Sequence, residues 1–504
     1  MRTPRRRVAA IAVLAASSLV LGTVTAAAAP RGHANDSKQF RKAVSVPKIH
    51  RHLEAFQAIA DEHGSRAAGT PGYEASAEYV EDALEDAGYS TYRQYFPFLY
   101  FEQLAPEVLT ENSPTQRDIA NHVMSASPST PEGGVTADLV APAVATGCTS
   151  DEWGGVDATE KIALVSRGTC SFLQKSQAAA AAGAGAAIIA NNAAGDLNGT
   201  LGNDPTGAIP TTGITQAEGQ ALSTEMAGGP VNVTLELLTT VEERETFNVI
   251  TETHNGKADD TIMLGGHLDG VLDGPGINDN GSGTATLLTV ATELAKVKKH
   301  ENRVRFAFWG AEESGLVGST HYVNRLVTDQ PEKLDKIATY LNFDMIGSPN
   351  YIISTYDADE STYEAPVAIP PGSIETEDVF TDYFDRIGQD VIDYEFSGRS
   401  DYQAFINNGV AAGGLSSGSD GIKTAEQAAM FGGTPGISYD PNYHSAQDDI
   451  DNVDLNALDI MSDAVAHATI TLAKDASVLD PDGPNEPGRH RLSRVAPAQG
   501  TVAR

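Results

Sequence analysis

The sequence predicts an α/β fold built on a central mixed, mostly parallel sheet flanked by helices, with a second module inserted into it. Three observations carry this. Apolar runs of strand length alternate with helical patterns beyond residue 245. Each run ends in reactive side chains: Thr261–Gly266 leads to His267, Val304–Ala311 to Glu312 and Glu313, and Thr339–Phe343 to Asp344. In open sheets of this kind the ligand crevice lies at the carboxyl ends of the strands. Finally, residues 130–240 hold short β-like runs and neither a histidine nor a clustered carboxylate motif, as expected of a separate β-rich α+β insertion.

The chain opens with Arg2 and Arg5-Arg6-Arg7, an apolar stretch from Val8 to Val24, and Ala27-Ala28-Ala29. That order is the pattern of a secretory signal peptide over residues 1–29, so a secreted, extracellular protein is expected. No later apolar run is long enough to span a membrane. The formal charge is −34, and loss of the four arginines in residues 1–29 takes it to −38. So acidic a surface repels phosphate backbones and excludes nucleic acid as a partner. Only Cys148 and Cys170 are present, and export predicts one disulfide between them. Two thiols are too few for a thiolate zinc cluster, so any metal must be held by His, Asp and Glu.

Residues 30–45 are polar and expected to be loose. A helical pattern starts at Ile49 and continues through Leu53, Phe56 and Ile59, and a turn-rich loop follows from Gly64 to Tyr73. Ala77, Val80, Leu84 and Ala87 then predict a helix closed by Gly88, and Tyr89–Tyr100 alternates as a strand. Together with 245–475, residues 40–110 are expected to form one discontinuous domain. Within the insertion, strands are expected at Val135–Val140, Lys161–Val165, Ala186–Ala190 and Val231–Leu238, with a helix of small residues at Gln174–Ala182. Helices at Thr284–Val297 and Gly318–Leu326 separate the reactive strands. The stretch past Gly347 reads as loop-rich as far as Phe396, and a closing helix runs from Leu455 to Ala473. Residues 476–504, rich in Pro, Gly and Arg, read as a disordered tail.

Two histidines, two aspartates and a glutamate at strand ends supply nitrogen and oxygen ligands suited to zinc and able to bridge two ions. The adjacent Glu312 and Glu313 diverge on a turn, so one can bind metal while the other takes a proton from water.

His267 with Asp279 twelve residues on, Glu312-Glu313, Asp344 and Tyr443-His444 resemble, in order and spacing, the co-catalytic di-zinc aminopeptidases secreted by bacteria. Fungal vacuolar aminopeptidase Y is also similar. The segment Ile162–Phe172, with Lys175 and the run from Ala184 to Asn192, resembles the protease-associated (PA) domain inserted in several exported peptidases. The resemblance implies a zinc-exopeptidase fold with two zinc ions per chain, bridged by Asp279. His267 and Asp344 would hold one ion, and Glu313 and His444 the other. Glu312 would be the general base, Tyr443 the donor to the oxyanion, Arg399 a substrate contact, and Asp269 the carboxylate orienting His267. The implied substrates are peptides with a free N-terminus, led by large apolar residues such as leucine, and the implied state is a monomer.

Three departures from the family pattern stand out. Asn442 and Gln447 replace a disulfide beside Tyr443-His444, and Tyr402 replaces a histidine. Asp459 and Asp463 match half of a calcium site whose completing aspartate is absent, since Ala43 and Val44 fall there; a solvated helix face suits that pair better than Ca2+. The alternatives are another exopeptidase or a glutaminyl cyclase on the same site, or an inactive binding protein on this fold.

Overall fold

The computed structural model describes residues 34–480, so the expected signal peptide and residues 481–504 of the expected tail lie outside the described residues. The strand Lys257–His267 lies inside an eight-stranded sheet. Its run Ile262–Leu264 is wholly buried, as in a strand covered on both faces. Gly265 is required there, because a Cβ would stand 2.4 Å from the Tyr340 hydroxyl and 2.6 Å from Trp309 Nε1.

The sheet runs in the order Thr91–Gln103, Thr239–Glu252, Asn302–Trp309, Lys257–His267, Ile337–Phe343, Ala412–Ser416, Ser354–Tyr356 and Ile392–Tyr394. Its middle, from Asn302–Trp309 to Ala412–Ser416, is parallel, with antiparallel pairs on either side. The sheet is thus mixed and mostly parallel, as expected. Alternation divides the core between its faces. Ile262, Leu264, Val304, Phe306 and Leu341 pack with Phe56, Val80, Leu287 and Met461 from four helices. Met263, Ala307, Trp309 and Tyr340 pack on the opposite face with Tyr322 and Phe405. His267 is paired with Trp309, Gly265 with Asn342, and Phe343 with Leu415. This register brings the ends of four parallel strands to one edge.

A second eight-stranded sheet is formed by residues 108–236. The expected strands are Val135–Val140, Ile162–Ser166, Ala186–Ala190 and Asn232–Glu236, and the small-residue helix is Phe172–Ala181. Short polar strands at Asn121–Val123 and Thr211–Ile214, and the helix Gln216–Gly228, gave no clear period in the sequence. Cys148 and Cys170 form the expected disulfide. The antiparallel pair Thr91–Gln103 and Thr239–Glu252 leads from the first sheet into the insertion. On the far side Asn203 reaches over Gly315, its amide 3.5 Å from where a Cβ would stand.

Three expectations need correction. Residues 34–43 form a helix rather than a loose leader, because Phe40 and Val44 bury against the core and Arg41 pairs with Asp463 at 2.6 Å. The stretch past Gly347 contains a helix, Ser373–Ile387, whose Phe380 and Phe384 are wholly buried. Finally, Ser477–Leu479 is a helical turn with Leu479 packed on the core, so the start of the expected tail is ordered.

His467 on the closing helix Leu455–Lys474 is buried, stacks on Tyr383, and accepts a hydrogen bond from Arg386 through Nε2 at 3.1 Å. Burial first, then the charges of Arg386 and Arg41, lower its pKa from 6.5 to about 3. Below pH 6.5 the unfolded chain therefore takes up a proton that the folded chain refuses. This contribution is complete above pH 6.5 and is lost as the pH falls towards 3, by up to about 1.4 kcal/mol per pH unit. Unfolding midpoints measured between about pH 7 and 4 should fall less steeply for His467→Gln than for the parent.

Candidate active site

The site begins with a turn that the local sequence cannot hold by itself. After His267 the chain loops through Gly270 and Gly276, makes a wide helical turn over Ile277–Ser282, and enters the helix Gly283–Leu294. The Asp279–Asn280 peptide bond is cis. Asn280 clamps the turn to its neighbours, accepting from Gly283 N and Met345 N and donating to the Phe343 carbonyl. Asp448, far along the chain, accepts from Asn278 N at 2.8 Å and from Asp279 N at 3.0 Å. The wholly buried Arg66 donates to the carbonyls of Leu268, Pro275 and Gly276 and lies over Phe56.

These contacts present the Asp279 carboxylate between two imidazoles. Oδ1 lies 3.2 Å from His267 Nε2, and Oδ2 lies 3.2 Å from His444 Nε2. Asp344 Oδ1 is 3.3 Å from His267 Nε2, and Glu313 Oε2 is 3.0 Å from His444 Nε2. Two donor sets result, sharing Asp279: His267, Asp279 and Asp344, and Asp279, Glu313 and His444. Ala311, Met345 and His444 all have left-handed φ, of 54°, 57° and 54°. Strained backbone of this kind next to reactive groups is held by its surroundings.

The structure assigns two jobs to Asp269. Its backbone carbonyl accepts from His267 Nδ1 at 2.9 Å, while its carboxylate accepts from the N–H groups of Glu312 and Glu313 at 3.2 and 3.3 Å. The imidazole is thus oriented by the carbonyl, not chiefly by the expected carboxylate, whose nearer oxygen stays 3.9 Å away. The carboxylate shapes the Glu-Glu turn instead. Ser400 donates to Asp344 Oδ2 at 2.5 Å, a partner the sequence did not single out. In place of the missing disulfide, Asn442 donates to Asn452 at 2.8 Å, and Asn452 in turn donates to Asp440 and Asp448. Asn278 also donates to Asp440, at 2.7 Å, closing a buried Asn/Asp net.

Glu312 and Tyr443 face the same pocket as His267, Asp279 and Asp344, with Met345, Tyr356, Tyr394, Tyr402 and Arg399 completing the wall. Tyr402 is wholly buried and its hydroxyl accepts from Gly398 N at 2.8 Å.

The electrostatics call for positive charge. Burial raises the pKa of Asp269, Asp401 and Asp448 to about 7 and that of Glu312 well above the carboxylate range. Burial opposes charge on His444, yet Glu313 and Asp279 override it and raise its pKa to about 11; His267 is raised in the same way by Asp344 and Glu312. Arg66 is the buried cation that faces Asp448, Asp269, Asp279 and Glu313, and burial lowers its pKa to about 10. Glu313 Oε1 and both Asp401 oxygens are buried without hydrogen-bond partners. Imidazoles and carboxylates converging with spare acceptor atoms fit a divalent metal.

Comparison with known proteins agrees with this geometry. Residues 248–469 match Peptidase family M28 and residues 135–222 match the PA domain. An aminopeptidase of Pseudomonas aeruginosa is 42% identical over 459 residues, spanning 87% of this chain and 82% of that protein. The chain belongs to peptidase family M28. Leucine aminopeptidase 2 of Arthroderma otae is also 42% identical, over 82% of this chain and 81% of its own. Among solved structures, the aminopeptidase of Aneurinibacillus sp. strain AM-1 superposes with a TM-score of 0.70 at 27% identity, covering 87% of this chain and 96% of its own. BSAP, a zinc aminopeptidase of Bacillus subtilis, superposes with a TM-score of 0.61 at 26% identity, covering 86% and 96%. As an M28 peptidase with an inserted PA domain, the protein is a metallo-exopeptidase.

In this M28 chain Arg66 ties three carbonyls of the loop that carries Asp279 to the acidic centre. Arg66→Met should cost about 3–5 kcal/mol, the range for breaking a buried charged contact. Denaturant unfolding in the presence of chelator measures it, and a loss below about 1 kcal/mol would show that the loop stands without Arg66.

Proposed function

We propose that the protein is a secreted aminopeptidase that uses two zinc ions to hydrolyse the first peptide bond of substrates with a free N-terminus. The observation that carries this is the Asp279 carboxylate, with one oxygen facing each imidazole at 3.2 Å. His267 and Asp344 would hold one ion, Glu313 and His444 the other, and Asp279 both. Zinc bound there supplies Lewis acidity, which lowers the pKa of an attacking water towards about 7 and stabilises negative charge on oxygen. The names of the M28 relatives from Pseudomonas aeruginosa and Arthroderma otae support the aminopeptidase reading. The segment 1–29 supports export.

Within the chain, each remaining step has a residue. Glu312 lines the pocket beside His267, Asp279 and Asp344, so its carboxylate can take the proton of the attacking water and pass it to the leaving amine. Asp269 keeps Glu312 in place by holding the backbone N–H groups of the Glu-Glu turn. Burial, then the carboxylates of Asp279, Glu313 and Glu312, raise the pKa of Tyr443, so its hydroxyl stays protonated and can donate to the oxyanion. Ser400 fixes Asp344. The rings of Tyr356, Tyr394 and Tyr402, with Met345, suit a large apolar first residue such as leucine.

Leucine p-nitroanilide should be cleaved and its N-acetylated form should not. Chelator should abolish the activity and zinc should restore it. Glu312→Gln should lose about 10²–10⁴ in kcat while its zinc content is unchanged. Equal cleavage of the acetylated substrate would assign the site to a different hydrolase.

A further inference from the structure

Among the described residues, Arg399 is the one permanently cationic side chain in the pocket wall; the other charged groups there are the acids and His267. Its guanidinium is already engaged. Nη1 donates to both oxygens of Asp420, at 3.0 and 3.2 Å, and Nη2 donates to Oδ2 at 3.2 Å. Ser419, also in the wall, donates to Asp420 Oδ1 at 3.2 Å and steadies the acid. The forked guanidinium edge is the feature that pairs most strongly with a carboxylate. Here a carboxylate of the protein fills it. Both side chains are about half exposed, at 58% and 52%, so substrate can reach the pair.

We propose that Asp420 sets the charge selectivity of the pocket. By occupying the Arg399 guanidinium it removes the pocket's permanent positive charge from the substrate. Apart from the proposed zinc ions, which every substrate meets alike, peptides that begin with Asp or Glu then meet acids and no free cationic side chain in the wall, and are disfavoured against peptides that begin with a neutral residue. Asp420 acts through Arg399 and is a positioning residue. This rests on the aminopeptidase reading and narrows its substrate class.

The test compares kcat/KM for glutamyl and leucyl p-nitroanilides, using the full zinc-loaded chain. Asp420→Asn should raise the glutamyl-to-leucyl ratio roughly three- to tenfold, the scale of a partly exposed charge pair. The gain should lie in KM for the glutamyl substrate, should fade at about 1 M salt, and should vanish in Asp420→Asn/Arg399→Met. Asp420→Glu, which keeps the charge, should leave the ratio near that of the parent. If Asp420→Asn changes both substrates equally, Asp420 is only a structural prop or binds the free amine, and the proposal falls. If the parent fails to cleave the leucyl substrate at all, it is the aminopeptidase reading that fails.

Discussion

The structure depends on one electrostatic constraint, the burial of many carboxylates at a single sheet edge. Asp269, Asp279, Glu312, Asp401, Asp440 and Asp448 are all nearly inaccessible to water. An isolated buried carboxylate costs several kcal/mol, and unless it is paired it takes up a proton. The protein answers in three ways: Arg66 supplies a fixed cation, Asn278 and Asn452 supply neutral donors, and the two imidazoles supply nitrogen where the carboxylates converge. The charge that remains is what a pair of divalent cations would balance.

Position follows from the sheet. Four parallel strands ending at one edge place His267, the Glu312-Glu313 turn, Asp344 and the end of Ala412–Ser416 side by side. The helices Val46–His63 and Gly283–Leu294 brace the loop between them, and Asp448 closes it from the far end of the chain. The insertion brings a loop residue, Asn203, over Gly315 in the turn that follows Glu312-Glu313.

Much of this was legible in the sequence, for physical reasons. The central strands are buried on both faces, so Ile262–Leu264 and Phe306–Trp309 appear as continuous apolar runs, and the side chain after each run marks the sheet edge. The helix at 34–43 was missed because its sequence offers one large apolar residue, Phe40, among polar neighbours. The helix Ser373–Ile387 was hidden behind Pro370-Pro371-Gly372 and many acidic residues. Arg66, Asp448 and Asp420 act through contacts between residues far apart in sequence, which no local period encodes. For Asp269 the sequence identified the residue, but whether its carbonyl or its carboxylate reached His267 depended on the bend after the strand.

The most direct test of the account is the number of zinc ions bound by the metal-free chain, read by equilibrium titration with elemental analysis. The shared carboxylate of Asp279 predicts two ions per chain, with both weakened together in Asp279→Ala. A parent that binds a single ion, or an Asp279→Ala chain that binds two as tightly as the parent, would contradict it.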